Sequence, residues 1–257
     1  MRILIWGCGN MARAMALGLK SSDPQIEFLC WNPTLSKAQE LSRELNGSVW
    51  QSGDEFEAVM LGFKPQKLSE GLTLLKSHLK ADTILISLLA ATQIKKFLTA
   101  TPCTQIVRLM PNLGVATGDG VVLWGQQGLK ATDIVTWQKR LNGLGLAPLM
   151  SEEHIDLYTL HSGCAPAYLY QWVHDAGEFA ALNGGDAELA RKILIEAFKG
   201  TLKKWDSQED MNHKISQVAS KGGVTEAVLT TWKKVCGDYI KQGLTAGLAK
   251  MKEFRES

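Results

Sequence analysis

The sequence predicts an α/β domain built on a parallel sheet over residues 1–150, followed by an all-helical domain over residues 151–257. Three observations support this fold class. Short apolar runs alternate with helical stretches up to about residue 150, a glycine-rich turn follows the first apolar run, and strand-like runs disappear after residue 151. Alternation of this kind is typical of βαβ units, in which helices cover both faces of a parallel sheet.

The predicted strands of the first domain are short apolar runs. The first is Arg2–Trp6, which stops at a glycine. The runs that follow it are Ile26–Trp31, Ala58–Phe63, Thr83–Leu88 and Gln105–Met110, with Val121–Trp124 and Leu146–Met150 as candidates to extend the sheet. Helices are predicted over Asn10–Lys20, which has helical spacing, and over Ser36–Leu45, which follows the start signal Asn32-Pro33-Thr34.

The second domain is predicted to consist of helices alone. The helical stretches are Glu152–Asn183, Asp186–Trp205, Gln208–Ala219, Val224–Cys236 and Asp238–Phe254. No low-complexity linker separates them from the first domain. The boundary between residues 150 and 151 is therefore set by the change of pattern.

The composition indicates a small-molecule substrate. The 28 basic and 26 acidic residues leave a formal net charge of +2, which gives no electrostatic case for binding nucleic acid or a membrane surface. No uncharged apolar run approaches the roughly 20 residues of a membrane helix. The five cysteines are scattered and odd in number, which argues against a disulfide framework and predicts a cytoplasmic protein.

A Gly-x-Gly-x-x-Ala segment, Gly7-Cys8-Gly9-Asn10-Met11-Ala12, joins the first predicted strand to the first helix. Gly7 permits a tight turn, Gly9 lets backbone amides approach a pyrophosphate, and Ala12 lets the helix pack closely on the sheet. The unpaired N–H groups at the helix N-terminus favour the phosphates. The first domain is therefore predicted to be a Rossmann-type dinucleotide-binding domain with residues 7–11 at the cofactor. The alternative is a glycine turn without a ligand.

The end of the second predicted strand favours NADP(H) as the cofactor. An NAD-binding site usually ends this strand with an acidic residue that accepts hydrogen bonds from the ribose 2′-hydroxyl. Here the strand ends at Asn32, and Thr34, Ser36 and Lys37 follow. Hydroxyl groups and a cation suit a 2′-phosphate, which no carboxylate would repel. The alternative for Thr34 and Ser36 is that they only cap the following helix.

Five segments of the chain, in this order and at this spacing, resemble the pyrroline-5-carboxylate reductase family. They are residues 7–12, Lys64-Pro65-Gln66, Arg108-Leu109-Met110-Pro111-Asn112, Ser162-Gly163-Cys164-Ala165-Pro166-Ala167-Tyr168 and Ser220-Lys221-Gly222-Gly223-Val224-Thr225. The likeness covers nearly the whole chain. The Arg-x-Met-Pro-Asn segment and the last two segments are the specific ones, since many dehydrogenases share the glycine loop.

The resemblance implies a Rossmann domain followed by an all-α dimerisation domain. In that family the helical domains of two subunits interlock, and each active site lies near the dimer interface. The resemblance therefore implies a homodimer, with a higher assembly of dimers as the alternative. The implied reaction transfers a hydride from NAD(P)H to the C=N carbon of 1-pyrroline-5-carboxylate and gives L-proline.

Two groups of site residues follow from the chain and the resemblance. Ser220 and Thr225 are the candidate catalytic residues, and Gly222, Gly223, Val224 and Asn112 the candidate substrate-binding residues. The glycine pair exposes amides at the start of a predicted helix, which suits the substrate carboxylate. Phe63, Lys64 and Pro65 follow a strand, where open α/β sheets place ligands, and the resemblance puts them along the cofactor.

Ordinary structural roles remain as alternatives for these residues. The alternative for Ser220 is a helix cap, for the two glycines a turn, for Lys64 a solvated charge and for Asn112 a turn asparagine. No metal site is predicted, since His154 and His161 have no ligand-like pattern of Cys or carboxylate residues beside them.

The chain departs from the family pattern at four places. Cys164 and Ala165 replace a Ser-Gly pair, Lys221 replaces proline, Leu89-Ala90-Ala91 stands for Ala-Ala-Gly, and the stretch Gly47–Val59 is compressed. These departures leave two rival functions open, a 3-hydroxyacid dehydrogenase and a non-catalytic NADP-binding protein. The first rival would place a lysine acid on the first long helix of the second domain, and Pro166–Asn183 contains no lysine.

Overall fold

The computed structural model describes residues 1–205, 208–236 and 238–256, which divide into two units. The first unit comprises Met1–Gly163 together with the C-terminal segment from Leu248, and the second comprises Cys164–Gly247. In the described residues, no helix combines the length and the apolar character needed to cross a membrane.

The first unit is built on a mainly parallel sheet with the strand order β3-β2-β1-β4-β5-β6-β7-β8. Its strands are β1 Arg2–Trp6, β2 Glu27–Trp31, β3 Ser48–Val49, β4 Ala58–Leu61, β5 Ile84–Ser87, β6 Gln105–Pro111, β7 Gly120–Gln127 and β8 Gly145–Leu146. The strands predicted between Arg2 and Trp124 are present, with ends that move by a few residues, and the predicted fold class is confirmed. Of the predicted strand Leu146–Met150, only Leu146 lies in a strand, and Leu149 makes an isolated bridge with Trp124. The short strand β3 was not predicted, because two residues give no periodicity.

Two strands, β7 and β8, break the parallel arrangement that the sequence predicts, since β8 pairs parallel to β7. β7 runs antiparallel to β6, with Leu109 opposite Trp124, whereas the pairs from β3 to β6 are all parallel. The connection between β6 and β7 explains the reversal. Asn112–Asp119 is too short for a crossover helix, so the chain turns back along the same edge.

Helices cover both faces of the sheet in the first unit. They are α1 Asn10–Ser22, α2 Leu35–Glu44, α3 Leu68–Leu75, α4 Ile94–Ala100, α5 Ala131–Asn142 and α6 Glu152–Ser162. Alternate strand residues point to opposite faces. Thus Ile3 and Ile5 pack with α1, α2 and α5, while Leu4 and Trp6 pack with α3 and α4. Small residues bring α1 close to the chain after β6, since a Cβ on Gly18 would lie 2.3 Å from the carbonyl oxygen of Val115.

The second unit is helical, as predicted. Its helices are α7 Ala165–Leu182, α8 Ala187–Lys203, α9 Met211–Val218, α10 Val224–Cys236 and the first part of α11 Tyr239–Glu256. Asp186 caps α8 by accepting a hydrogen bond from the Leu189 amide at 2.7 Å, and Asp210 caps α9 in the same way through the His213 amide at 3.0 Å. Acidic side chains at these positions satisfy amides that the helix leaves unpaired.

The predicted single helix over Glu152–Asn183 is wrong, because the chain breaks it into α6 and α7 at Gly163 and Cys164. Pro166 lies in the first turn of α7. A proline there removes no helical hydrogen bond, but within a longer helix it would lose one and clash with the preceding turn. Proline therefore favours a new helix start at this point.

A buried cluster of charges ties β6 to α6 and to the C-terminal segment. Arg108, on β6, is fully buried and its Nη2 donates to Asp156 Oδ1 at 2.5 Å. Its Nη1 donates to Glu152 Oε1 at 3.2 Å. Arg255, near the end of α11, donates to the other oxygen of Asp156. Glu152 also accepts from the Ile94 amide at 2.7 Å and so caps α4. One aspartate thus compensates two guanidinium groups.

Candidate functional site

The glycine loop follows β1 and turns tightly against the chain after β4. Gly7 has φ +102°, a backbone conformation that favours glycine, and its amide donates to the Trp31 carbonyl at 2.8 Å. A Cβ on Gly7 would lie 3.1 Å from the backbone of Gly62, and a Cβ on Gly9 would lie 3.0 Å from the Gly62 oxygen. The backbone conformation therefore favours glycine at position 7, and a side chain at either position would crowd the backbone of Gly62.

The N-terminus of α1 has the structure of an anion site. Gly9 is the N-cap residue and carries no side chain to satisfy the first amides. The first turn of any helix leaves its N–H groups without intrahelical partners, and here they belong to Asn10, Met11 and Ala12. The Arg13 amide already bonds to the Gly9 carbonyl at 2.9 Å. A pyrophosphate accepts hydrogen bonds from such amides and is favoured by the helix dipole. The loop fits a dinucleotide.

Asn32 connects the glycine loop to the segment that follows β2. Its Oδ1 accepts from the Cys8 amide at 3.1 Å, and its Nδ2 donates to the Thr34 carbonyl at 3.2 Å. Thr34 is the N-cap residue of α2, but within the described chain its hydroxyl makes no capping hydrogen bond. Thr34 and Lys37 are both exposed. Their side chains remain available for a phosphate beside the loop.

Replacing Asn32 with aspartate is expected to shift the preference from NADPH towards NADH. Aspartate can still accept the hydrogen bond from the Cys8 amide, so this contact with the glycine loop is kept. The new carboxylate, however, repels a 2′-phosphate. Two like charges about 4 Å apart near a protein surface interact by roughly 1–4 kcal/mol, and the preference should therefore fall about tenfold or more. Steady-state kcat/KM with each cofactor measures the change. A higher kcat/KM with NADH in the unmodified enzyme would contradict the assignment of residues 32–37.

Cys8 occupies the second position of the loop and contacts Cys30 on β2. The pKa of the Cys8 thiol is lowered, chiefly because the Cys30 thiol donates a hydrogen bond to it, and burial opposes this only in part. The pKa of Cys30 is raised by the same hydrogen bond and by burial. The hydrogen bond between the two thiols therefore shifts their pKa values in opposite directions.

Phe63, Lys64 and Pro65 come one residue after the end of β4, at the carboxyl edge of the parallel strands. Pro65 begins a 3-10 turn, and the Phe63 ring lies over Gly71 of α3, where a Cβ would meet it at 2.7 Å. Lys64 is exposed. The three residues thus lie beside the glycine loop, which contacts Gly62.

The turn after β5 contains Ala91, which stands where the family pattern has a glycine. Ala91 is buried and has φ +53°, a conformation that costs an L-residue about 1–2 kcal/mol. Replacing Ala91 with glycine is expected to raise the free energy of unfolding by up to about 1 kcal/mol, because the relieved strain exceeds the added freedom of the unfolded chain. Urea denaturation measures it. Ala90→Gly, at a neighbour without positive φ, should destabilise instead.

Asn112 fastens the end of β6 to β7. Its Oδ1 accepts from the Val121 backbone amide at 3.0 Å, and its backbone N–H donates to the Val121 carbonyl at 3.1 Å. The side-chain oxygen is therefore engaged in the fold. A role at the substrate is left to its Nδ2 group, and the predicted contact remains a prediction.

The Ser220–Thr225 segment forms a turn that leads into α10 in the second unit. Gly222 has φ +76°, and its amide donates to Glu226 Oε2 at 2.7 Å, while the Gly223 amide donates to the Ser220 carbonyl at 3.0 Å. Both amides predicted to bind the substrate carboxylate already have partners. The N–H groups of Val224, Thr225 and Glu226, in the first turn of α10, are the ones that helix geometry leaves unpaired.

The predicted site residues therefore lie in two places. Residues 7–11, 32–37 and 63–65 and Asn112 follow β1, β2, β4 and β6 in the first unit, at one edge of the sheet. Residues 220–225 lie in the second unit. Sequence reasoning missed Gly62 and Glu226. A glycine directly after the apolar run Ala58–Leu61 is a signal for the first, and a glutamate three residues after Gly223 is a capping signal for the second.

Two family models match this chain. The model described as NADP oxidoreductase coenzyme F420-dependent matches residues 2–91, which include the glycine loop and the segment after β4. The model described as pyrroline-5-carboxylate reductase dimerisation matches residues 152–254. Fold, loop and first match together define the class, which is an oxidoreductase with a nicotinamide cofactor, and the predicted NADP(H) is confirmed.

Curated relatives match over most of the chain. The pyrroline-5-carboxylate reductase of Aquifex aeolicus is 28% identical over 232 residues, covering 88% of this chain and 86% of its own. Pyrroline-5-carboxylate reductase 2 of Bacillus subtilis is 26% identical over 237 residues, covering 87% and 84%. These matches support membership of the pyrroline-5-carboxylate reductase family, which the five sequence segments predict.

A solved structure shows that the fold is shared over the full length. The pyrroline carboxylate reductase of Plasmodium falciparum, solved with NADP bound, is 23% identical and superposes with a TM-score of 0.83, covering 99% of this chain and 100% of its own. A likeness at this identity concerns the fold.

Proposed function

We propose that this protein reduces the C=N bond of 1-pyrroline-5-carboxylate with NADPH and so forms L-proline. The observation that carries the proposal is the combination, in one chain, of the glycine cradle at α1 with the Ser220–Thr225 turn at α10. The family match supports the same reaction. When it is bound, NADPH supplies the hydride.

The chemistry requires orientation more than acid catalysis. A ketone needs an acid to protonate its oxygen as the hydride arrives, whereas a protonated cyclic imine already carries its proton and a positive charge. A site that aligns the two reactants can supply much of the rate. The residues proposed here are accordingly amides, hydroxyls and a lysine, with no strong acid among them.

In the first unit, the chain's own groups are proposed to hold the cofactor. The amides of Asn10 and Met11 receive the pyrophosphate, and Asn32 fixes the loop through the Cys8 amide. Thr34 and Lys37 receive the 2′-phosphate. Phe63, Lys64 and Pro65 line the adjoining edge of the sheet.

In the second unit, the turn before α10 is proposed to hold the substrate. The first-turn amides of Val224 and Thr225 receive the carboxylate, and the Thr225 hydroxyl donates to the carboxylate or bonds to the ring nitrogen. Gly222 and Gly223 shape the turn, and the Ser220 carbonyl secures it through the Gly223 amide. Glu226, which holds the Gly222 amide, lies on the same turn, so substrate binding places a second carboxylate beside it.

An NADPH-oxidation assay tests the proposal. Purified protein should oxidise NADPH when pyrroline-5-carboxylate is added, and proline should appear in equal amount. It should not act on 3-hydroxybutyrate-type acids. Tight NADPH binding without turnover of the imine would support the non-catalytic alternative instead, and turnover of a 3-hydroxyacid would support the dehydrogenase alternative.

We further propose that the protein is a homodimer through its second unit. Large apolar side chains there are exposed in the single chain, among them Tyr170 at 72%, Phe179 at 69% and Leu182 at 86%. Exposed apolar area of this extent marks an association surface. Light scattering should give twice the mass of the 28.2 kDa chain, or a multiple of that dimer. The dimer interface is expected to bury more than about 2,000 Å². An active monomer would contradict this.

The proposed location is the cytoplasm. Cys8, Cys30, Cys103 and Cys164 are all free thiols in the structure. Free thiols of this kind are usual in a reducing compartment. Fractionation of the native host with thiol labelling tests the assignment.

A further inference from the structure

Two tryptophan rings form a stack at the carboxyl ends of β1 and β2. The rings of Trp6 and Trp31 lie 3.6 Å apart between centroids, with an angle of 7° between their planes. Trp6 is the inner ring, since it is only 2% exposed and its Nε1 donates to the Gly71 carbonyl at 3.2 Å. Trp31 is partly exposed and covers it. Trp50 packs edge-on against Trp6, with 5.7 Å between the ring centroids, and helps to fix the inner ring.

The outer ring belongs to the end of β2, which is hydrogen-bonded to the glycine loop. The Trp31 carbonyl accepts the Gly7 amide at 2.8 Å, and the next residue, Asn32, accepts the Cys8 amide at 3.1 Å. Trp31 and Phe63 pack against the same apolar cluster, on the α3 side of the sheet. A flat aromatic surface therefore stands at the strand end whose next residues are proposed to face the adenosine ribose.

The position of this ring matches the course of a dinucleotide on such a sheet. The pyrophosphate lies at the N-terminus of the first helix and the adenosine ribose at the end of the second strand. The adenine extends from that ribose and needs an apolar, flat surface. A ring held rigidly from behind loses little freedom on stacking, so its contribution to binding is retained.

We propose that Trp31, supported by Trp6, is the surface on which the adenine ring of NADP(H) stacks. The proposal rests on the proposed function, since it assigns a residue to the same cofactor site. Trp31 is a binding residue for the adenosine half of the cofactor and takes no part in hydride transfer.

The test compares Trp31→Leu with Trp31→Phe, both measured by calorimetry with 2′,5′-ADP, the adenosine half of NADP. Both variants keep an apolar side chain behind the loop, but only phenylalanine keeps a flat ring. Stacking of a base on an aromatic side chain predicts a loss of affinity of roughly 5- to 150-fold for leucine, and phenylalanine should recover most of it. Inhibition by inorganic pyrophosphate, which needs only the glycine loop, should be unchanged in both. Trp205→Phe, at an exposed tryptophan of the second unit, is the matched control and should bind 2′,5′-ADP as the unmodified protein does.

The outcomes separate the stacking surface from the proposed function. If the unmodified protein binds neither NADPH nor 2′,5′-ADP, the proposed cofactor itself is wrong, and with it the role of Trp31. If the unmodified protein binds 2′,5′-ADP and Trp31→Leu binds it equally well, the stacking surface is wrong while the proposed function stands. If leucine weakens 2′,5′-ADP and pyrophosphate alike, Trp31 only supports the loop, and the proposal is overturned. Loss with leucine and recovery with phenylalanine supports it.

Discussion

Replacing Asp156 with alanine is expected to lower the free energy of unfolding by about 3–5 kcal/mol. Asp156 is 2% exposed and accepts from both Arg108 and Arg255. Without it, the fully buried Arg108 keeps only its 3.2 Å contact with Glu152. Its Nε already lacks a partner in the part of the chain that the structure describes. A charge buried without compensation is among the most destabilising changes that a single substitution makes.

Chemical denaturation with two further variants separates charge from volume. Asp156→Asn keeps the size of the side chain and one acceptor, and should still lose most of the stability if charge is the cause. Glu153→Gln, at an exposed position on the same helix, should change the stability by less than about 0.5 kcal/mol. Equal stability of Asp156→Ala and the unmodified protein would show that the ion cluster does not hold β6 to α6.

Replacing Thr225 with alanine is expected to reduce kcat/KM for the imine roughly 10- to 150-fold. The change removes a hydroxyl that no neighbour replaces, since Val224 is apolar. A hydrogen bond to a charged group is worth about 1.5–3 kcal/mol, and the loss appears in kcat/KM when the bond is made in the transition state. Thr225→Ser retains the hydroxyl and should retain much of the activity.

The affinity for NADPH distinguishes this role from a general loss of structure. The glycine loop belongs to the other unit, so NADPH binding should be unchanged in Thr225→Ala. Thr231→Ala is the matched control, because that threonine lies on the same helix and its hydroxyl donates to the Ala227 carbonyl at 2.9 Å. An alanine variant at Thr225 that is as active as the parent, or that loses NADPH binding and imine turnover together, would overturn the assignment.

The sequence by itself determined the fold class, the glycine loop and the family. Strands such as Arg2–Trp6 and Ala58–Leu61 can be predicted from the sequence because a buried strand is apolar at nearly every position. Gly7 and Gly9 form a recognisable pattern because the turn favours glycine at position 7 and the Gly62 backbone lies close to both residues. These features depend on residues near one another in the chain, so a local pattern records them.

The tertiary structure alone decided which distant residues meet. In the sequence, Arg108 is recognisable only as the first residue of the Arg-x-Met-Pro-Asn segment. Its partner Asp156 lies 48 residues later, and Arg255, a further 99 residues along the chain, contacts the same carboxylate. The Glu226 carboxylate on the Gly222 amide, and the stack of Trp6 on Trp31, were likewise unforeseen. Hydrogen-bond partners and ring contacts depend on how strands and turns come together in space. A period of two or 3.6 residues fixes which face a side chain occupies, but it does not record which side chain lies opposite.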